Sequence, residues 1–137
     1  MHFKTFMTSV EENLSRCRTE AELRNWIENH ARSLPEDDWK LFRSRVPGWQ
    51  EAYMDRLNKE YIELLSGEGN ASEKFWALEE RINKDKKDKG VILRKSRSQM
   101  FSNILSLIEE GAIGYEDLDG FSDELRESVQ GWLKFNE

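Results

Sequence analysis

Trp49, Tyr53, Leu57, Tyr61 and Leu64 follow one another at steps of four and three residues, with Leu65 beside the last. A helix returns to the same face every 3.6 residues while a strand alternates at every second one, so this stripe is buried economically only as a helix. The same period recurs along the chain. Phe3, Phe6, Met7, Val10, Leu14 and Cys17 mark a helix over about 3–17. Leu23, Trp26, Ile27 and Ala31 mark a second, opened by a capping-box pair, Thr19 and Glu22. Ser33 and Glu36 form another such pair, with Pro35 in the first turn of a third helix that carries Trp39, Leu41, Phe42 and Val46. Pro47-Gly48 is expected to break the chain there.

The striped helix is then expected over about 49–66, ending at Gly67, with Gly67-Glu68-Gly69 as a short flexible connection. Asn70 and Glu73 are a third capping pair, opening a helix whose apolar face is Phe75, Leu78 and Ile82 and which ends by Gly90. Val91-Ile92-Leu93 reads as an extended link, with Ser96 or Ser98 as the cap of the next helix. Met100, Phe101, Ile104, Leu105, Leu107 and Ile108 cover more than half the circumference of this helix, which makes it the expected centre of the core. Gly111 closes it. Ser122 is the expected cap of a last helix with Leu125, Val129, Trp132 and Leu133.

Composition agrees with the period. The chain has 14 Leu against 4 Val, 7 Ile and 3 Thr, the reverse of what strands prefer. Its 137 residues suffice for one core without staples and are few for two. The expectation is an all-α fold, a single irregular bundle of six or seven helices over 1–137 with a possible hinge at 67–70.

Charge sorts the functional options. The formal net charge is −6, which disfavours non-specific adhesion to nucleic acid or anionic membrane over the protein as a whole. It is unevenly spread: residues 84–97 carry a local +5 and residues 109–137 a local −7. No apolar run is long enough to span a bilayer, and Met1–Val10 lacks the apolar centre of a secretory signal. With Cys17 as the one thiol, no internal disulfide is possible. A cytoplasmic protein with no membrane association is expected.

Catalytic signatures come up short. His2 and His30 have no metal-ligand partner at helical spacing, and His30 reads as a cation at the end of its helix. No Gly-rich phosphate loop or nucleophile elbow is present. Asp117-Leu118-Asp119-Gly120 resembles part of a calcium loop, but with Gly120 as its sixth residue the first position is Tyr115 and the twelfth Arg126, a cation where a carboxylate is required. It reads as a turn. No catalytic residue, metal or cofactor is expected.

Two features remain as candidates for binding. Trp76 points about 100° away from Phe75 on its helix and is the best candidate for an exposed anchor. The other is the basic stretch: Lys84, Lys86, Lys87, Lys89, Arg94, Lys95 and Arg97. Lysines suit a helix C-terminus, but Arg94, Lys95 and Arg97 precede a helix, where its dipole disfavours cations. They could meet the acidic segment Glu109–Glu127, stay in solvent, or hold an external anion. The expected function is a non-enzymatic protein-interaction or regulatory module with an unknown protein partner or as a homo-oligomer. The alternative is a nucleic-acid-associated protein that tracks phosphates with residues 84–97.

Overall fold

The computed structural model describes residues 19–135. These form α1 (Glu20–Ser33), α2 (Glu36–Ser66), α3 (Ala71–Asp85), α4 (Met100–Glu109) and α5 (Asp123–Phe135), with 3-10 turns at Arg97–Gln99 and Tyr115–Leu118. The fold is all-α, and the described residues include no strand. They hold five α-helices rather than six or seven; the helix expected over 3–17, with Cys17, lies outside them, as does His2.

The main correction concerns Pro47-Gly48. The two helices expected on either side are one, α2, with Pro47 inside it. Proline removes the amide that Arg43 O would otherwise receive, at a cost of about 3 kcal/mol. The apolar stripe nevertheless crosses it without slipping: Phe42, Val46, Tyr53 and Leu57 are buried, and half-buried Trp49 joins them. Each such side chain contributes about 1.5–3 kcal/mol when removed from water. Several on one face outweigh one lost hydrogen bond, and Pro47 and Gly48 themselves face solvent.

α4 is the centre, as its composition implies. Met100, Phe101, Ile104, Leu105 and Leu107 are buried with Phe42 and Val46 of α2, Leu118 and Phe121 of the following loop, and Leu125 and Val129 of α5. This core draws on both sides of the 67–70 connection. α1 lies against α4 and the 3-10 turn before it.

Polar groups fix the register. Asp38, buried in the first turn of α2, accepts from Ser122 N at 2.8 Å and Ser122 Oγ at 2.5 Å. Ser122 Oγ in turn accepts from Leu125 N at 3.1 Å, the expected cap of α5. Thr19 Oγ1 accepts from Glu22 N at 3.1 Å. Ser33, by contrast, caps nothing: it ends α1 and donates to His30 O at 2.7 Å, and Pro35 stands at the N-cap of α2. The Tyr115–Leu118 segment is the expected turn, with Gly120 at φ +93°. Arg45 donates to the main-chain carbonyls of Asp117 and Asp119, which ties this turn to α2.

His30 is not a helix-end cation. Its ring stacks on Trp26 at 4.9 Å and meets the Phe101 ring edge-on at 5.2 Å. Ser128 Oγ spends its proton on Glu124 O at 2.7 Å, so His30 Nε2 is the donor in the 2.6 Å contact with Ser128. Burial lowers its pKa below 6.5 and favours the neutral ring. On acidification the unfolded histidine therefore takes up a proton first. Stability is full above pH ~6.5 and falls as the pH drops below it. Urea midpoints measured between pH ~7.5 and ~5.5 should fall for the wild type and change less in His30→Gln. An unchanged slope in the variant would refute this assignment.

Candidate protein-interaction face

The connection Gly67-Glu68-Gly69-Asn70 reverses the chain, with Gly69 at φ +133°. That backbone region is strained for any residue with a Cβ. α3 then runs back along α2, as the cross-links show: Glu60 with Arg81, Tyr61 with Asp85, and Tyr53 with Asp88. The two helices form an antiparallel hairpin. Of its residues from 58 to 84, none is buried.

Its inner seam explains this. The α3 positions with partial cover are Lys74, Ala77, Leu78 and Arg81, and Asp85 below them is buried. Only Ala77 and Leu78 are apolar, so the helices meet through polar groups. Arg81 bonds to Glu60 at 2.8 Å and to Asp85 at 3.3 Å, and Tyr61 donates to Asp85 at 2.6 Å. Burial first, and the Asp85 bond second, push the Tyr61 hydroxyl up to about 12, so it stays a proton donor. The larger apolar residues are left outside: Ile62 is 62% exposed, Leu65 44%, Phe75 63%, Trp76 60% and Ile82 41%. The expectation that Phe75 and Ile82 lie on a buried face is thus reversed. Trp76 is exposed, and its ring meets Phe75 edge-on at 5.0 Å.

Leu65, Phe75 and Ile82 share a face, and Trp76 lies about 100° round α3 from it. Asn58 and Ile82 line one groove of about 280 Å³ with Met54, Leu57, Tyr61, Asp85, Lys86 and Val91. Leu65 stands seven residues after Asn58, and Phe75 seven before Ile82. Seven residues are almost two full turns, so each repeats its partner's direction about 10 Å further out along the hairpin. The groove therefore continues into an apolar strip ending at Leu65 and Phe75.

The basic stretch forms the base of this hairpin, and its two acids do the anchoring. Asp85 holds Tyr61 and Arg81, while Asp88 accepts from Tyr53 Oη at 2.6 Å. Gln50 Nε2 donates to Lys89 O at 3.1 Å. Glu110 receives the amides of Lys89 and Gly90 at 2.9 and 3.1 Å. This is where the acidic C-terminal segment meets the stretch, on backbone amides. Arg97 is structural: it pairs with Glu36 and donates to Leu34 O at 3.1 Å, joining the entry of α4 to the start of α2. Lys84, Lys86, Lys87, Arg94 and Lys95 are exposed, and the ion pairs among the described residues do not include them. Lys89 is half-buried.

No group of three His, Cys, Asp or Glu among the described residues is placed to hold a metal ion. No helix among them is long and apolar enough to cross a membrane. No protein-family model matches this chain, and neither a curated protein nor a solved structure resembles it closely enough to count as a match.

Proposed function

We propose that this chain is a non-catalytic protein-interaction module that receives a protein partner on the outer face of the α2–α3 hairpin. One observation carries the reading. Five large apolar side chains stand in solvent on the part of the hairpin, residues 58–84, in which no residue is buried, beside a core that closes without them. At roughly 200 Å² per large side chain, their exposed part comes to about 500 Å², at the upper end of the patches found on monomeric proteins. The groove at its base offers a pocket for one apolar anchor of the partner, and the charged rim supplies orientation. Affinity capture from extract should retain a set of proteins on the wild type that Phe75→Ser/Trp76→Ser loses, with both baits equally stable. Identical sets on the two baits would refute the reading.

A second reading, binding of nucleic acid through the basic stretch, is favoured by the five exposed cations that no acid among the described residues takes up in an ion pair. It differs in its response to salt: neutralising phosphates makes affinity fall steeply with ionic strength, whereas an apolar face is nearly indifferent. Fluorescence anisotropy with mixed DNA and RNA oligonucleotides at low and physiological salt separates the two. The control is Lys84→Ala/Lys86→Ala/Lys87→Ala with Arg94→Ala/Lys95→Ala. Arg97 is left intact because the fold needs it.

A further inference from the structure

We infer that the occupant of this face is a second copy of the same chain, docked α3 against α3 in antiparallel fashion about a two-fold axis near Ile82. The inference rests on the face being a docking surface, and it names the partner. Two observations point to a copy.

The first is area. Two such faces, counting Leu65, Phe75 and Ile82 on each, remove roughly 600 Å² of apolar surface from water, and the Glu79 and Lys86 rims add polar area, the scale of a weak, reversible dimer. One face against a polar surface would bury only about half as much apolar area.

The second is charge pattern. Phe75, Glu79, Ile82 and Lys86 follow at steps of four, three and four, so they share one side of α3, and all four are exposed. An antiparallel copy related by an axis beside Ile82 meets residue i with residue 165 − i. That brings Glu79 of each chain beside Lys86 of the other, twice by symmetry, and sets the two Ile82 side chains on either side of the axis, one residue out of register. It also carries each Phe75 about 10 Å past the axis, to the groove that Lys86 and Val91 line on the partner. An isologous contact of this kind satisfies the face with no other molecule.

Sedimentation velocity of the full chain between about 1 and about 200 µM tests it. The wild type should show a reversible monomer–dimer equilibrium in that range. Ile82→Glu, placing two like charges at the axis, should weaken it at least about tenfold. Glu79→Lys and Lys86→Glu should each weaken it about threefold or more, and the double reversal should restore it, a rescue that a folding defect does not produce. A wild type that stays monomeric throughout overturns the second copy as occupant. The docking face then stands or falls by the capture comparison above, which does not depend on self-association. A dimer indifferent to Ile82→Glu and to both reversals overturns the proposed contact.

Discussion

Phe101→Ala is expected to lower the free energy of unfolding by about 3–5 kcal/mol, the range for removing a fully buried aromatic ring from a close-packed core. Phe101 is fully buried in α4, and both Trp26 and His30 pack against its ring. The truncation leaves a cavity between α1 and α4 that neither helix can close without releasing the His30–Ser128 contact to α5. Phe75→Ala removes the same atoms from a ring that is mostly in water, and should change stability by no more than about 0.5 kcal/mol. Urea denaturation of the two variants at low protein concentration, where self-association does not contribute, measures the contrast. Similar losses for both would mean that the outer face of the hairpin is part of the core, and would undo the division on which the functional reading depends.

The second large effect lies at the hairpin base. A Cβ added at Gly90 would stand 2.2 Å from Cδ2 of Tyr53. Tyr53 cannot retreat: it is buried in the α2 stripe, and its hydroxyl is held by Asp88. Nor can the backbone at residue 90 move freely, because Glu110 grips the amides of Lys89 and Gly90. Gly90→Ala should therefore cost about 2–3 kcal/mol, at the upper end for overpacking, and loosen the seating of α3 on α2. Hydrogen exchange resolved along the chain would show faster exchange across residues 85–91 and α3 than across α4. A variant as stable as the wild type, with unchanged exchange, would contradict the close packing described for this loop.

Much of the fold is legible in the residues. The stripe of α4 identifies the core helix, Ser122 announces the cap of α5, and Gly67 to Asn70 announces the break between α2 and α3, though not that the chain reverses there. Where local signals mislead, the physical reason differs each time. Pro47-Gly48 carries a strong local signal for a break, yet the stripe from Phe42 to Leu57 keeps its phase across it, and long-range burial outweighs the local cost. His30 sits near a helix end, where a charged ring is favoured locally. Only the fold brings Trp26, Phe101 and Ser128 around it and so makes the neutral ring the better form.

The candidate site was legible only in part. Trp76 follows from its angle on the helix, but Phe75 and Ile82 read as an inner face because they repeat at helical spacing. The residues that expose this error are Arg81 and Asp85, one turn apart on the side that meets Tyr61 and Glu60. A seam built from a guanidinium, carboxylates and a phenol leaves the larger apolar residues without cover. Arg97 shows the opposite limit. It belongs by sequence to the basic stretch, but its partners, Glu36 and Leu34 O, lie about sixty residues away along the chain.

The central claim is that Phe75, Trp76 and Ile82 are open in the lone chain and that Phe75 and Ile82 become covered when a partner docks. Hydroxyl-radical footprinting read by mass spectrometry, over a dilution series of the full-length protein, tests it most directly. At the lowest concentrations, heavy labelling of Phe75 and Trp76 is expected, with little at Phe42 and Phe101. As the concentration rises, labelling of Phe75 and Ile82 should fall in the wild type, while Phe75 in Ile82→Glu stays labelled. Protection of Phe75 and Trp76 at every dilution would mean that the chain itself covers this face, and would contradict the claim.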